Sequence, residues 1–285
     1  MADVNASPLI AAAELAVRLD DPQIRVLDAS WFLPTEGRSG RNEFEEVRIP
    51  GAAFFDIDAI SDASVDLPHM LPAPEAFAVA AAALGLTPDA EVVVYDSFGI
   101  RSAARVWWTL RVMGFDRVRV LDGGLRVWKT EGFPVETGAP KPPSQGVASI
   151  RFDPARLRDH AAVTAALDSG SAQVVDARSA PRFRGEAPEP RPGLRSGHMP
   201  GAFNLPFDRL LTEEGRLKPP AALAEAFREA GVDLGRPIIA TCGSGVTASV
   251  LALALELLDA PAAVYDGSWA EWGREDGGEV AVGGA

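Results

Sequence analysis

The chain has 285 residues, 47% hydrophobic and 24% charged, with a formal net charge of −13 at pH 7. This length exceeds the usual size of one domain, and the acidity argues against a nucleic-acid partner, because phosphate contacts need a basic surface. The single cysteine excludes an intramolecular disulfide. No apolar run approaches the roughly 18 residues of a membrane span, and no secretory signal is recognisable, so we expect a cytoplasmic protein without a membrane partner.

Four segments of the first half recur in the same order in the second half. IRVLDAS (24–30) resembles AQVVDAR (172–178), RIPGAAFFDID (48–58) resembles HMPGAFNLPFD (198–208), EVVVYDSFG (91–99) resembles PIIATCGSG (237–245), and VLDGGLRVWKTEGFPV (120–135) resembles VYDGSWAEWGREDGGEV (264–280). The shift stays between 144 (Asp122 to Asp266) and 150 (Pro50 to Pro200). The sequence therefore predicts two copies of one domain.

The boundary between the copies is placed in the proline-rich stretch TGAPKPPSQGVAS (137–149). Its prolines and glycines cannot continue a helix or a central strand. We therefore predict a first domain over residues 1–138, a linker over 139–150 and a second domain over 151–285.

Secondary structure in each copy is predicted to alternate between strands and helices. The predicted elements are a capped helix in MADVNASPLIAAAELAVRL (1–19), then strand 91–96, helix 102–114 and strand 117–124, and, in the second copy, strand 173–177, helix 221–231, strand 237–242, helix 247–258 and strand 262–267. Short apolar strands separated by helices of about ten residues specify an α/β fold, a mostly parallel sheet flanked by helices. Trp107 and Trp108 lie on one of these helices and are assigned to the core.

Cys242, the only cysteine, falls between a predicted strand and a predicted helix, in the turn CGSGV (242–246). Ligands of open α/β sheets bind at the carboxyl edge of the strands, where this turn lies. Gly243 and Gly245 allow the loop to curl and direct its amides to one point, next to the positive end of the helix dipole. The turn is thus predicted to hold a sulfur anion.

Two other interpretations of Cys242 are considered. A buried, inert cysteine would not need the Gly-Ser-Gly turn. A tyrosine-phosphatase-like loop would need an arginine six positions after the cysteine, where this chain has Ala248. The first copy has Asp96 at the corresponding place, so it is predicted to keep the fold without the nucleophile.

The tandem copies, the silent first copy and the motif CGSGVTA (242–248) resemble the rhodanese superfamily and, within it, the 3-mercaptopyruvate sulfurtransferases. The resemblance implies two tandem rhodanese-like domains and transfer of sulfur through a Cys242 persulfide. By the same resemblance, the persulfide is held by Gly243, Gly245, Val246 and Thr247, and the sulfur acceptor is a thiol such as thioredoxin, a low-molecular-weight thiol, or cyanide. Thiosulfate-using relatives carry basic residues after the cysteine, so the neutral loop favours a mercapto-carboxylate. Thiosulfate transfer and a non-enzymatic binding module are the alternatives.

A basic cluster in SAPRFRGEAPEPRPGLRSGHMPGA (179–202) follows the strand 173–177. By resemblance, Arg182 and Arg191 hold the carboxylate and keto group of the donor, as guanidinium groups do in a bidentate way. They could equally pair with Glu186, Glu189 or surface acids. Arg184, Arg195 and His198 are assigned to the fold, the last because it occupies the slot that Arg48 fills in the first copy. The four arginines and the histidine of this segment form a local basic cluster, although the chain as a whole is acidic.

The first copy also supplies Asp58 and His69, and the second copy has no histidine to match the latter. By resemblance, both act with Ser244 to polarise the donor carbonyl or to assist proton transfer. A histidine that only caps a domain interface is the alternative. His160 is interpreted as a solvated helix residue. The three histidines and one cysteine have no ligand-like spacing, and no nucleotide-binding motif is present, so we expect neither a metal nor a cofactor.

Overall fold

A computed structural model describes residues 7–284, which divide into two compact units. The first contains the described residues up to Asp62, Pro72–Asp153 and Glu213–Leu217; the second contains Ala63–Leu71, Pro154–Thr212 and the residues from Lys218 onward. Each unit thus includes a short segment from the other half of the sequence. The limits 1–138, 139–150 and 151–285 stay a prediction, and residues 137–149 contain no helix or strand.

The first unit is a five-stranded parallel sheet flanked by helices. Its strands are β1 (Leu9–Ile10), β2 (Ile24–Asp28), β3 (Ala53–Phe54), β4 (Glu91–Tyr95) and β5 (Val118–Leu121), in the order β1-β5-β4-β2-β3. Its helices are α1 (Ala12–Ala16), α2 (Gly40–Glu46), α3 (Pro74–Ala83), α4 (Ser102–Val112) and α5 (Gly124–Thr130).

The second unit repeats this architecture. Its strands are β6 (Leu157–Arg158), β7 (Gln173–Asp176), β8 (Phe203–Asn204), β9 (Ile238–Thr241) and β10 (Ala263–Tyr265), in the order β6-β10-β9-β7-β8, again all parallel. Its helices are α6 (His160–Ser169), α7 (Ala180–Phe183), α8 (Pro220–Glu229), α9 (Ala248–Glu256) and α10 (Ser268–Trp272). The predicted fold class, two α/β domains with mostly parallel sheets, is confirmed.

The strands β4 and β9 occupy the centre of their sheets, and every residue of both is buried. Strands covered on both faces read as continuous apolar runs, as VVV and II do here. The side chains of Trp107 and Trp108 on α4 are 1% exposed, which confirms their assignment to the core. Because Cys242 follows β9, the cysteine lies at the carboxyl end of the central strand of its sheet.

Two local predictions were wrong. The predicted N-terminal helix is interrupted: Leu9 and Ile10 pair with β5, and the helix in the described part covers only Ala12–Ala16, without a side-chain cap. Residues 1–6 of that prediction lie outside the described residues. The ring of His160 is not simply solvated, because it stacks on Trp272 with ring centroids 4.8 Å apart. Within residues 7–284, no helix has both the length and the apolar character to cross a bilayer.

Asp28, at the end of β2, gives the first unit a pH-dependent stability. Its carboxylate is 1% exposed and accepts a hydrogen bond from the Ser30 amide at 2.8 Å. Burial raises the pKa of Asp28 from 3.8 to about 6, although its hydrogen bonds with Ser30 oppose the shift. In the second unit the corresponding Asp176 is paired with Arg178, where the first unit has Ser30.

We expect Asp28→Asn to stabilise the protein at neutral pH. A raised folded-state pKa contributes stability that is present below the unfolded value of 3.8 and is lost as the pH rises through about 6. The difference of about 2 pKa units corresponds to roughly 3 kcal/mol, and the asparagine can still accept from Ser30. Urea unfolding of wild type and variant should show this gain in the free energy of unfolding at about pH 8 and little of it at about pH 4. A gain of the same size at both pH values would contradict the assignment.

Candidate functional site

The backbone of Cys242 is fixed by the first turn of α10. The Cys242 amide donates to Ser268 Oγ at 3.2 Å, and its carbonyl accepts from the Trp269 amide at 2.9 Å. The Gly243 carbonyl accepts from the Ala270 amide at the same distance. The cysteine side chain is free, and the residue is 2% exposed. The thiol therefore lies in a rigid turn at the end of β9.

The cysteine loop, residues 242–247, leads from β9 into α9. Gly245 has a φ of +78°, which favours glycine over other residues. Val246 is 4% exposed, and Thr247 immediately precedes α9. Within the described part of the chain, the backbone amides of residues 243–247 donate to no protein acceptor. These N–H groups, next to the N-terminus of α9, remain available to an anion on the sulfur.

The corresponding loop of the first unit already holds an anion. Asp96 follows β4 as Cys242 follows β9, and its carboxylate is fully buried. Oδ1 and Oδ2 accept hydrogen bonds of 2.8–3.0 Å from four backbone amides, those of Phe98, Gly99, Arg101 and Ala103. The shift of 146 from Asp96 to Cys242 places residues 244, 245, 247 and 249 at the matching positions. The fold of this loop is thus suited to surround negative charge at the position of the cysteine.

Ser244 contacts the histidine predicted to act with it. Ser244 Oγ and His69 Nδ1 are 3.0 Å apart, and both residues are 5% exposed. His69 belongs to Ala63–Leu71, the segment that is part of the second unit. The other predicted member, Asp58, belongs to the first unit, where its Oδ2 accepts from Trp31 Nε1 at 2.9 Å.

Arg182 is held beside the cysteine loop by Glu189. Its Nε donates to Glu189 Oε1 at 3.2 Å and its Nη2 to Oε2 at 2.5 Å. A Cβ placed on Gly243 would lie 3.1 Å from Arg182 Nη2, so the guanidinium lies against that glycine. Of the acids that the sequence left open as partners, Glu189 pairs with Arg182. The absence of a side chain at Gly243 makes room for this arginine.

Arg178 is a site residue that sequence reasoning missed. Its side chain is fully buried, donates to Asp176, to Glu189 Oε1 at 2.8 Å and to the Gly197 carbonyl, and lies 4.1 Å above the Trp269 ring. Burial lowers the pKa of this guanidinium, but the charges of Asp176 and Glu189 outweigh burial and leave the pKa raised. Glu189 therefore connects a buried arginine to a half-exposed one. The repeat could have indicated this residue, because the second copy has an arginine at the end of VVDAR where the first copy has a serine at the end of VLDAS.

Arg191 lines an open cleft of about 610 Å³ in the second unit. The cleft is lined by residues 65–68, which precede His69, by residues 191–194, and by Ala270 and Arg274. Since Ala270 is hydrogen-bonded to Gly243, the cleft adjoins the cysteine loop. The structure thus brings Cys242, Ser244, His69 and Arg182 to one region, with Arg191 in the wall of the adjoining cleft.

The remaining basic residues of segment 179–202 support the fold. Arg184 forms an exposed ion pair with Glu186. Arg195 donates to three backbone carbonyls, those of Trp272, Gly273 and Gly278. His198 stacks on Phe183 with ring centroids 3.9 Å apart, and its Nδ1 donates to the Phe183 carbonyl at 2.9 Å. Its backbone bridges to Ala281, as Arg48 bridges to Glu136 in the first unit.

The chain is similar to known sulfurtransferases along nearly its whole length. The rhodanese-like domain family matches residues 11–131 and again residues 159–275. The 3-mercaptopyruvate sulfurtransferase of Rattus norvegicus is 46% identical over 272 residues, 93% of this chain and 91% of its own. The protein of the same name from Escherichia coli K12 is 46% identical over 266 residues, 93% of this chain and 94% of its own. The crystal structure of SseA from Escherichia coli, a 3-mercaptopyruvate sulfotransferase, superposes with a TM-score of 0.85 at 42% identity, covering 93% of this chain and 99% of that one.

Proposed function

Because this chain belongs to the rhodanese family, with one rhodanese-like domain in each half, we propose that it is a 3-mercaptopyruvate sulfurtransferase working through a Cys242 persulfide. The observation that carries the proposal is the comparison of the two loops. In the first unit the loop amides donate to the Asp96 carboxylate; in the second unit Cys242 stands at that position, and the amides of residues 243–247 donate to no protein acceptor among the described residues. We expect an anionic sulfur species on Cys242 to accept hydrogen bonds from these amides.

The first half-reaction takes sulfur from the donor. The Cys242 thiolate attacks the sulfur of 3-mercaptopyruvate, an S–S bond forms, and the C–S bond breaks. The electron pair of the C–S bond passes to the carbon, so pyruvate leaves as its enolate and is then protonated. The loop amides stabilise the charge on the sulfur, as an oxyanion hole stabilises oxygen.

The donor is oriented by charge. Arg182 lies against Gly243 and Arg191 lines the adjoining cleft, so both can reach an anion bound next to the cysteine. Their guanidinium groups hold the carboxylate and keto oxygens of the donor. The pair Ser244 and His69 donates to the carbonyl oxygen on which the enolate charge develops, or supplies the proton that completes pyruvate. Asp58 is proposed to act with them.

The second half-reaction passes the sulfur on. A thiolate of thioredoxin or a low-molecular-weight thiol, or cyanide, attacks the outer sulfur of the persulfide. The S–S bond breaks and its electron pair returns to the Cys242 thiolate. Two half-reactions separated by a covalent intermediate give ping-pong kinetics. We place the protein in the cytoplasm, since a reducing compartment keeps the single thiol reduced.

The donor preference is proposed to depend on the two residues after the cysteine. Gly243 makes room for Arg182, and Ser244 contacts His69. Thiosulfate-using relatives have two basic residues there. A long side chain at position 243 would displace the guanidinium that holds a carboxylate, and it would bring positive charge suited to the doubly charged thiosulfate. Thiosulfate as the preferred donor is the alternative.

Steady-state rates with each donor test this proposal. Wild-type protein is expected to turn over 3-mercaptopyruvate faster than thiosulfate. The double variant Gly243→Arg with Ser244→Lys is expected to reverse the ratio, because it displaces Arg182, removes the contact to His69 and adds positive charge. A control with the same added charges, Ala221→Arg with Ala222→Lys on the exposed side of α8, should leave the ratio unchanged. A wild-type preference for thiosulfate, or no shift in the loop variant, would contradict the assignment.

A further inference from the structure

Residues 63–71, here called the histidine arm, carry His69 and contain no helix or strand. Several contacts attach the arm to the rest of the second unit. His69 Nδ1 contacts Ser244 Oγ at 3.0 Å, the Leu71 amide donates to Asp266 Oδ2 at 2.7 Å, and Asp66 pairs with Arg274 at 3.1 Å. An irregular segment keeps a defined place only through such contacts.

The first unit contains a counterpart of this segment. Residues 213–217, here called the sister arm, belong to the first unit although they come from the second half of the sequence. The Leu217 amide donates to Asp122 Oδ1 at 3.0 Å, as the Leu71 amide donates to Asp266. Both aspartates directly follow the strand that pairs with the central one, β5 or β10. The same device therefore attaches an arm in each unit.

The two arms differ at the residue two positions before the leucine. The sister arm has Gly215 there, with a φ of +82°, and the histidine arm has His69, with a φ of +62°. A left-handed backbone suits glycine and is strained for histidine. Strain of this kind persists only where surrounding contacts impose it, and it is found at functional sites. The histidine arm therefore depends on its attachments more than the sister arm does.

Of the contacts described above, the hydrogen bond from Leu71 to Asp266 is best suited to offset the backbone strain at His69. Arg274 donates to the Asp66 carbonyl and pairs with the Asp66 carboxylate, but the two side chains are 39% and 102% exposed, and such surface contacts contribute little. Asp266 is 3% exposed, and a buried carboxylate that accepts from an amide forms a strong, charge-assisted hydrogen bond. Two residues further along the same turn, Ser268 Oγ accepts from the Cys242 amide. One turn after β10 thus fixes both the histidine arm and the cysteine.

We propose that Asp266 is a positioning residue that holds His69 against Ser244 through the Leu71 amide. The proposal rests on the proposed function in that His69 and Ser244 act on the donor carbonyl. In this proposal Asp266 acts through the histidine arm and not through contact with the donor. It sets the place of the arm, which also lines the cleft beside the cysteine loop.

Hydrogen exchange of the full chain tests the attachment directly. Asp266→Ala is expected to raise the exchange rate of residues 63–71 and to leave residues 213–217 unchanged. The matched control Asp122→Ala should do the reverse, because Asp122 holds the sister arm. Asp266→Asn, whose amide oxygen can still accept from Leu71, should restore most of the protection. Unchanged exchange of residues 63–71 in Asp266→Ala would overturn the proposal.

Single-turnover persulfide formation from 3-mercaptopyruvate tests the consequence. Asp266→Ala is expected to slow this step roughly tenfold, the order expected for losing a hydrogen bond to a charged group, and Asp122→Ala is not. In a His69→Ala background, Asp266→Ala should slow it no further. An equal additional loss in that background would overturn the proposal, since Asp266 would then act through the cysteine turn.

The positioning role of Asp266 and the role of His69 in the reaction can be tested separately. If His69→Ala leaves persulfide formation unchanged while Asp266→Ala still frees the histidine arm, the attachment by Asp266 stands and the role proposed for His69 is wrong. If His69→Ala slows persulfide formation and Asp266→Ala neither frees the arm nor slows the step, the role of His69 stands and the positioning role of Asp266 is wrong.

Discussion

Cys242→Ser is expected to lower the rate of sulfur transfer from 3-mercaptopyruvate by more than about 1,000-fold, because the chain has no other thiol. The serine hydroxyl fits the same turn, and the backbone contacts of residue 242 to Ser268 and Trp269 do not involve the side chain. The loss should therefore appear in the rate constant of persulfide formation and not in the fold. Stopped reactions with excess donor, assayed for pyruvate, measure it.

The control for this variant is its stability. Circular dichroism and urea unfolding should give Cys242→Ser the helix content and midpoint of wild type. A variant that folds normally and still releases pyruvate at more than about a tenth of the wild-type rate would show that the thiol is not the nucleophile.

Arg182→Ala is expected to reduce kcat/KM for 3-mercaptopyruvate by roughly 100-fold, mainly through a higher KM. Two hydrogen bonds from a guanidinium to a carboxylate contribute about 1.5 kcal/mol each, and each 1.4 kcal/mol corresponds to a factor of ten. In the variant, Arg178 is the cation that still pairs with Glu189. The net charge of the site is then more negative, which disfavours binding of an anionic donor. Steady-state kinetics with varied donor measure the change.

Arg184→Ala is the matched control for this variant. Arg184 lies two residues further along the same segment, and its guanidinium pairs with the exposed Glu186. Removing an exposed pair changes little, so kcat/KM should stay within a few-fold of wild type. Equal losses in both variants would mean that Arg182 does not contact the donor specifically.

The fold and the cysteine loop could be predicted because their determinants are local in sequence. A strand, a glycine-containing turn and a helix follow one another at Cys242, and the carboxyl edge of a parallel sheet places that turn where ligands bind. The repeat supplied the rest: the same order of elements in both halves, and Asp96 in place of the cysteine. Burial of Trp107 and Trp108 followed from the helix on which they lie.

The side-chain network around the loop could not be predicted, because it depends on how an irregular segment folds. Glu186 and Glu189 are equivalent in sequence, yet the first pairs with exposed Arg184 and the second joins Arg178 to Arg182. Asp266 was visible only as part of a repeated VLDG or VYDG motif. Its contact with Leu71 spans 195 residues, beyond the reach of any local pattern.

Each compact unit includes a short segment from the opposite half of the sequence, the histidine arm in the second unit and the sister arm in the first. The repeat indicated two nearly equal halves joined by a proline-rich linker but gave no sign of these two segments. The sequence of a loop without hydrophobic periodicity does not indicate which unit the loop packs against. The unmatched His69 was the only hint, and both His69 and the corresponding Gly215 have a left-handed backbone.

The intact mass of the protein after reaction with 3-mercaptopyruvate alone, without an acceptor, tests the central claim most directly. That claim is that backbone amides of the cysteine loop stabilise an extra sulfur on Cys242. Wild-type protein should gain one sulfur atom and lose it when a thiol acceptor is added, and Cys242→Ser should gain none. A wild-type mass that does not change, or the same gain in Cys242→Ser, would contradict the account.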